Sequence, residues 1–126
     1  MKLLVLALLP SLSMAAVQVQ DCNINVYDII NKERVYNHST EGKVIDKGKV
    51  VGLRVNDEDF NHTSGILKLQ KAKSTEVKYY NDISVGITNG IYVMKYIYED
   101  GVTQYMIFNA PKSKTYNFFD CKDSEQ

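Results

Sequence analysis

Apolar and polar residues alternate most regularly between Gly90 and Asn109, GIYVMKYIYEDGVTQYMIFN, where two runs rich in Val, Ile, Tyr and Phe flank Asp100-Gly101. Asp-Gly between alternating apolar segments signals a hairpin with a two-residue type I′ turn. With that pair as the loop, Tyr98 faces Thr103, Tyr96 faces Tyr105, Met94 faces Ile107 and Tyr92 faces Asn109 on one side of the ladder. Ile97 with Gln104, Lys95 with Met106 and Val93 with Phe108 fill the other side. Both sides are largely apolar, which places the two arms mid-sheet with one face under another element.

The rest of the chain divides at Gly42. Before it, Asn23 to Val26 alternates as a short strand. Asp28 to Glu41 reads as a helix: Asn25 or Asp28 can cap its start, Ile29, Ile30 and Tyr36 can face a sheet, and Gly42 suits the C′ position. Against this, Val35 and Tyr36 are weak helix formers and Glu33 interrupts the apolar stripe. After Gly42 the pattern is strand-like, with Lys43 to Ile45 and Val50 to Val55 around an Asp46-Lys47-Gly48 turn, then Ile66 to Lys71, Thr75 to Tyr80 and Ile83 to Ile87. Asn89-Gly90 turns into the long hairpin, Pro111-Lys112-Ser113 breaks it, and Thr115 to Asp120 forms a last strand. A tail from Lys122 to Gln126 is expected to be disordered. One early helix followed by five or more antiparallel strands predicts an α+β domain, the helix packed on one face of a twisted sheet.

The 126 residues are enough for one domain with a modest core, and the first 16 are not part of it. Lys2, the apolar run Leu3 to Leu9, Pro10 and the small residues around Ala15-Ala16 have the form of a secretory signal peptide, leaving residues 17–126 as the mature domain. That run is too short to span a bilayer, so no membrane partner is expected. In an oxidising route the two cysteines, Cys22 and Cys121, most simply form one bridge that brings the two ends of the chain together.

Charge narrows the partners. Lys2 leaves with the leader, so 14 basic residues remain of the 15, against 15 acidic ones, and only Arg34 and Arg54 are arginines. No basic stripe is present to attract phosphate backbones or anionic lipid. Histidine is equally sparse. His38 and His62 each lie inside an N-x-S/T sequon, so Asn37 and Asn61 are candidate glycan acceptors. A metal-independent ribonuclease needs a base, an acid and a cation on neighbouring strands. Both histidines fall in expected loop or helix-end positions, so exposed histidines are the favoured reading. Asp57-Glu58-Asp59 with His62 lacks the spaced ladder and internal glycine of a calcium loop and reads as a solvated acidic loop. No catalytic residue, metal or cofactor is assigned. Tyr92, Tyr96, Tyr98 and Tyr105, of nine tyrosines, share one expected hairpin face, which is either core or a surface that stacks bases or anchors a protein.

The leader, Cys22 soon after cleavage, the early helix, and the segments VKYY, YVMKYIYEDGVTQYMIF and FFDC before the closing Cys121 resemble the RNase-like secreted effectors of powdery mildew fungi across Cys22 to Cys121. Gln20 stands where that family usually has an aromatic. The resemblance implies the fold of small guanyl-type fungal ribonucleases without their catalytic residues, and a Cys22–Cys121 bridge. It further implies translocation into a host plant cell as a virulence effector that binds host RNA or protein, in some members recognised as an avirulence protein by an intracellular immune receptor. A monomer is expected. The alternatives are an active secreted ribonuclease using His38 or His62 with Arg54 on phosphate, and an extracellular ligand-binding β-barrel, which requires a closed sheet with no covering helix.

Overall fold

The computed structural model describes residues 17–70, 80–98 and 100–124. Nine strands make one antiparallel sheet: β1 Gln18–Ile30, β2 Glu33–Asp46, β3 Val51–Val55, β4 Phe60–Thr63, β5 Lys68–Gln70, β6 Tyr80–Thr88, β7 Ile91–Tyr98, β8 Thr103–Asn109 and β9 Lys114–Asp123, with one 3₁₀ turn, Ala110–Lys112, before β9. Their order across the sheet is β4-β3-β2-β1-β9-β8-β7-β6-β5. Two meanders therefore run outward from a central pair made of the first and last strands. Of the expected strands, Thr75 to Tyr79 lies outside the described residues.

The expected α+β class is overturned, because no α-helix occurs among the described residues and the segment read as a helix is strand. Asp28 to Glu41 is the turn and return arm of a long hairpin, with Tyr27 opposite Tyr36, Asp28 opposite Val35 and Ile30 opposite Glu33. The decisive residues are Asn31 and Lys32, which take left-handed backbone with φ of 53° and 67°. Two consecutive positive φ values are the type I′ signature, and asparagine is among the few residues that adopt them cheaply. Around that turn the β-branched Ile29, Ile30 and Val35 gain from pairing what they would lose in a helix. The left-handed cost at Lys32, roughly 1–2 kcal/mol, exceeds the extra chain entropy a glycine gives up, about 0.5–1 kcal/mol. Lys32→Gly should thus raise stability by about 0.5–1 kcal/mol, read as a higher denaturant midpoint at unchanged slope.

The Gly90–Asn109 hairpin forms, one residue out of the expected register. Gly101 N–H donates to Tyr98 O and Tyr98 N–H to Val102 O, each at 2.9 Å. Gly101 has φ +89°, and the Asp100 carboxylate accepts from Val102 N–H at 2.9 Å. This makes a three-residue loop with glycine at the left-handed position rather than a two-residue turn. Tyr96 now faces Gln104, and Lys95 faces Tyr105. Side chains alternate with period two, so the shift transfers Tyr105 to the opposite face of the sheet.

The sheet is rolled. Cys22, Ile24 and Val26 of β1, Val44 of β2, Val51, Leu53 and Val55 of β3, Val93 of β7, Tyr105 and Ile107 of β8, and Tyr116 and Phe118 of β9 meet in one core. Phe60 of β4 stacks on Tyr116 of β9 at 5.2 Å, and Lys95 Nζ of β7 lies 2.8 Å from Asp46 Oδ2 of β2. Each of these pairs is four strands apart in the sheet order, about 19 Å in a flat sheet. Only a sheet curled onto itself can make such contacts. The segment between β4 and β5 straps the edges together: Ser64 N–H donates to Val51 O and Leu67 N–H to Lys49 O, while Leu67 packs over Gly86 of β6. A Cβ on Gly86 would stand 2.8 Å from Gly65 O, so glycine permits this close crossing. Hydrophobic interdigitation inside the curl does the work assigned to the covering helix.

One polar cluster is built into this core. Asp46, 5% exposed, accepts from Lys95 at 2.8 Å, from the Tyr105 hydroxyl at 2.6 Å and from Gly48 N–H at 2.8 Å. The Gln20 amide reaches the Tyr105 oxygen at 3.4 Å. Burial pulls the Asp46 pKa upward, but the three donors outweigh it and hold the carboxyl below its ordinary value. Burial, then Asp46, pushes the Tyr105 phenol well above its own. The disulfide joins Cys22 of β1 to Cys121 of β9, beside an irregularity between Phe119 and Lys122 where Asp120 has φ 50°. β9 continues to Asp123, and Ser124 N–H donates to Val19 O at 2.8 Å, so ordered strand replaces the start of the expected tail.

Candidate functional site

The outer face carries the least expected chemistry. Cross-strand partners place Ile87, Tyr92, Phe108, Thr115, Tyr27 and Tyr36 in one row over six adjacent strands, β6-β7-β8-β9-β1-β2. Tyr92 and Phe108 lie 5.8 Å apart, ring to ring. Tyr27 and Tyr36 meet edge to face at 5.9 Å, and the Arg34 guanidinium sits 4.6 Å above the Tyr27 ring. Thr115, between the two aromatic pairs, is buried by them. Ile87 and Tyr36 are each 57% exposed and Tyr92 37%. Val85, Met94 and Met106 form the adjoining row. At the hairpin tip, exposed Ile30 and Val35 alternate onto the opposite face from Tyr27 and Tyr36 and do not extend this patch. Large apolar side chains in contact with one another and with water are the usual composition of an interface centre.

The four tyrosines singled out from sequence do not act together. Tyr92, Tyr96 and Tyr98 alternate along β7 on the outer face, with the Tyr98 hydroxyl donating to Gln104 Oε1 at 2.9 Å and that of Tyr96 to Met94 Sδ at 3.3 Å. Tyr105 is core, 1% exposed. Tyr27, Tyr36 and Phe108 were not anticipated as surface. Tyr27 and Tyr36 fell on or beside the supposed helix, and Phe108 took the wrong face through the register error. The usable signal was the Asn31-Lys32 turn, which sets those two tyrosines opposite each other across the ladder.

His38, His62 and Arg54 are not brought together as the ribonuclease alternative requires. His38 faces the interior from β2 opposite Val26, and His62 does so from β4 opposite Leu53. Arg54 is exposed on the outer face beside Lys43 and Asn61. The sheet thus lies between the guanidinium and both imidazoles. His62 stacks near Phe60 at 6.4 Å. Its Nε2 is buried without a hydrogen-bond partner, and burial lowers its pKa. His38 Nε2 lies 3.3 Å from Asp57 Oδ2. Asn61 is exposed on the outer face of β4, whereas Asn37 is committed to Asp28 through a 2.7 Å bond.

The space inside the roll, where a barrel could hold a small ligand, is filled by Tyr105, Phe118, Ile24, Ile107 and Val93, all fully buried. The bridge joins Cys22 and Cys121 as expected. No helix of the described residues is long and apolar enough to cross a membrane. No protein-family model matches the chain, and neither a curated protein nor a solved structure matches it.

Proposed function

We propose that this is a secreted, non-enzymatic binding protein whose outer sheet face docks a protein partner. The carrying observation is the row from Tyr92 and Phe108 through Thr115 to Tyr27 and Tyr36, which spans five adjacent strands and is partly open to water. A protein is preferred over RNA on charge. Arg34, stacked over Tyr27, is the one arginine against the row, and balanced charge over the whole chain provides no track for successive phosphates. The leader and the terminal bridge support release from the producing cell. The place of action follows from the resemblance alone: the interior of a host plant cell, where a small virulence effector binds a host component and an intracellular receptor can recognise it. The guanyl-type ribonuclease fold is not carried forward, because no helix covers the sheet among the described residues.

The oxidised chain, incubated with labelled RNA, should leave it uncut, and cleavage abolished by His38→Ala or His62→Ala would sink the proposal. In capture from host plant extract, the double variant Tyr92→Ser/Phe108→Ser should lose at least about tenfold of the retained partner, as expected for interface aromatics. Its far-UV spectrum should match the parent, because both rings lie outside the core. Equal capture by parent and variant would remove the outer face from consideration.

A further inference from the structure

At one mouth of the roll, three potential ligands converge from separate elements. β2 carries a bulge: Val26 pairs with His38 and Tyr27 with Tyr36, which leaves Asn37 as the extra residue. The β3–β4 turn folds beneath this bulge. It sets Asp57 Oδ2 3.3 Å from His38 Nε2 and Glu58 Oε1 2.8 Å from the hydroxyl of Tyr116, a residue only 2% exposed. One donor atom from each of His38, Asp57 and Glu58 lies within 4.8 Å of the others.

The imidazole is oriented from outside this group. Asn37 Nδ2 donates to Asp28 Oδ2 at 2.7 Å, so the amide oxygen is the atom turned toward His38 Nδ1, also at 2.7 Å. Nδ1 must then carry the proton, and the lone pair of a neutral ring at Nε2 points at a carboxylate oxygen. A ring nitrogen set 3.3 Å from a carboxylate oxygen is a position that either a proton or a metal ion on Nε2 can bridge. Among the described residues, neither Asp57 nor Glu58 has a lysine or arginine partner, the ion pairs being His38–Asp57, Lys43–Asp21 and Lys95–Asp46.

We propose that His38, Asp57 and Glu58 bind a first-row divalent cation, zinc by donor set. Tetrahedral zinc with bonds of about 2.0–2.1 Å spaces its ligands about 3.3–3.4 Å apart, the separation already held by His38 and Asp57. Calcium and magnesium prefer all-oxygen shells, whereas imidazole with carboxylates suits zinc. Asn37 is a positioning residue, holding the ring by its second nitrogen as outer-sphere partners of metal-bound histidine do. Three protein ligands leave a fourth position for water or for a side chain of a docked partner.

Isothermal titration of zinc into the chelator-stripped, oxidised chain should show one equivalent bound. His38→Ala and Glu58→Gln should each weaken it at least about tenfold, and Asn37→Ala about tenfold through loss of ring orientation. His62→Ala should bind as the parent does. Zinc should shift the ring-proton resonances of His38 and leave those of His62 in place. Metal-free His38→Ala should melt with the metal-free parent, which separates ligand loss from unfolding. Absence of binding by the parent overturns the proposal, as do retained affinity in His38→Ala, loss in His62→Ala, and magnesium or calcium binding as tightly as zinc.

Discussion

Replacing Cys22 and Cys121 together by alanine should cost on the order of 4 kcal/mol of folding stability. The bridge closes a loop with a sequence separation of 99, for which chain entropy alone gives roughly 4.7 kcal/mol, with local relaxation expected to return part of it. Position magnifies the effect. β1 and β9 are the first and last strands, and their pairing is the seam that joins the two meanders. Without the crosslink, this closure must be won from an unfolded chain whose ends are far apart. For a domain of this size the loss corresponds to a fall in melting temperature on the order of 15 °C. Melting the parent with and without reductant beside the double variant checks it. A drop below a few degrees in both would show that strand pairing and the core hold the seam unaided.

Removing Asp46 should be nearly as damaging, by about 3–5 kcal/mol, because Asp46→Ala leaves Lys95 charged and enclosed. The Lys95 side chain is 15% exposed and that of Asp46 6%. The Tyr105 hydroxyl loses its acceptor as well. Asp46→Leu with Lys95→Met, which removes both charges, should recover much of the loss, since apolar pairs of similar volume replace buried ion pairs well. If the double replacement is no better than Asp46→Ala, the ion pair is not the source. The linkage to pH has a definite sign. The folded pKa of Asp46 is depressed, so its contribution is fully present above the unfolded carboxylate value of about 3.9. It fades as pH falls from there through the folded value. Acid titration of stability should therefore be shallower in the Asp46→Leu/Lys95→Met double replacement than in the parent.

Much of the late chain was legible as strand because Ile91 to Asn109 alternates without interruption and its turn residues are strong. The register was not. Asp100-Gly101 is compatible with a two-residue and a three-residue loop, and both leave apolar side chains on each face. What separates them is Tyr105, whose hydroxyl reaches Asp46, a residue 59 positions earlier. No local pattern contains that contact. The early segment failed for a different reason. Ile29, Ile30 and Tyr36 fit a helical stripe as well as two strands, and Asn31-Lys32 carries only half of a turn signal, because lysine gives no local preference for the positive φ it adopts.

His38 illustrates the same limit at the candidate metal site. Its sequence neighbourhood shows a sequon, and the acidic run Asp57-Glu58-Asp59 lies beside His62 along the chain. The fold pairs the run with the other histidine, because the bulge at Asn37 and the turn after Val55 meet beneath the sheet. Sequence distance ranks His62 as the closer partner, and the alternation of β4 turns it instead toward Phe60.

By itself, the sequence determined a small single-core chain with one bridge between its first and last strands, strands from Gly42 onward, and no basic track for nucleic acid. These follow from composition, cysteine count and period-two alternation, all of which are local or additive. Only the tertiary structure decided that the first segment is strand, that the sheet rolls and fills its own interior, and which tyrosines face water. Those outcomes depend on contacts between strands four places apart in the sheet, Lys95 with Asp46 and Phe60 with Tyr116. Such contacts exist only once the sheet has curled, and it is their energy that selects one register and one face over another.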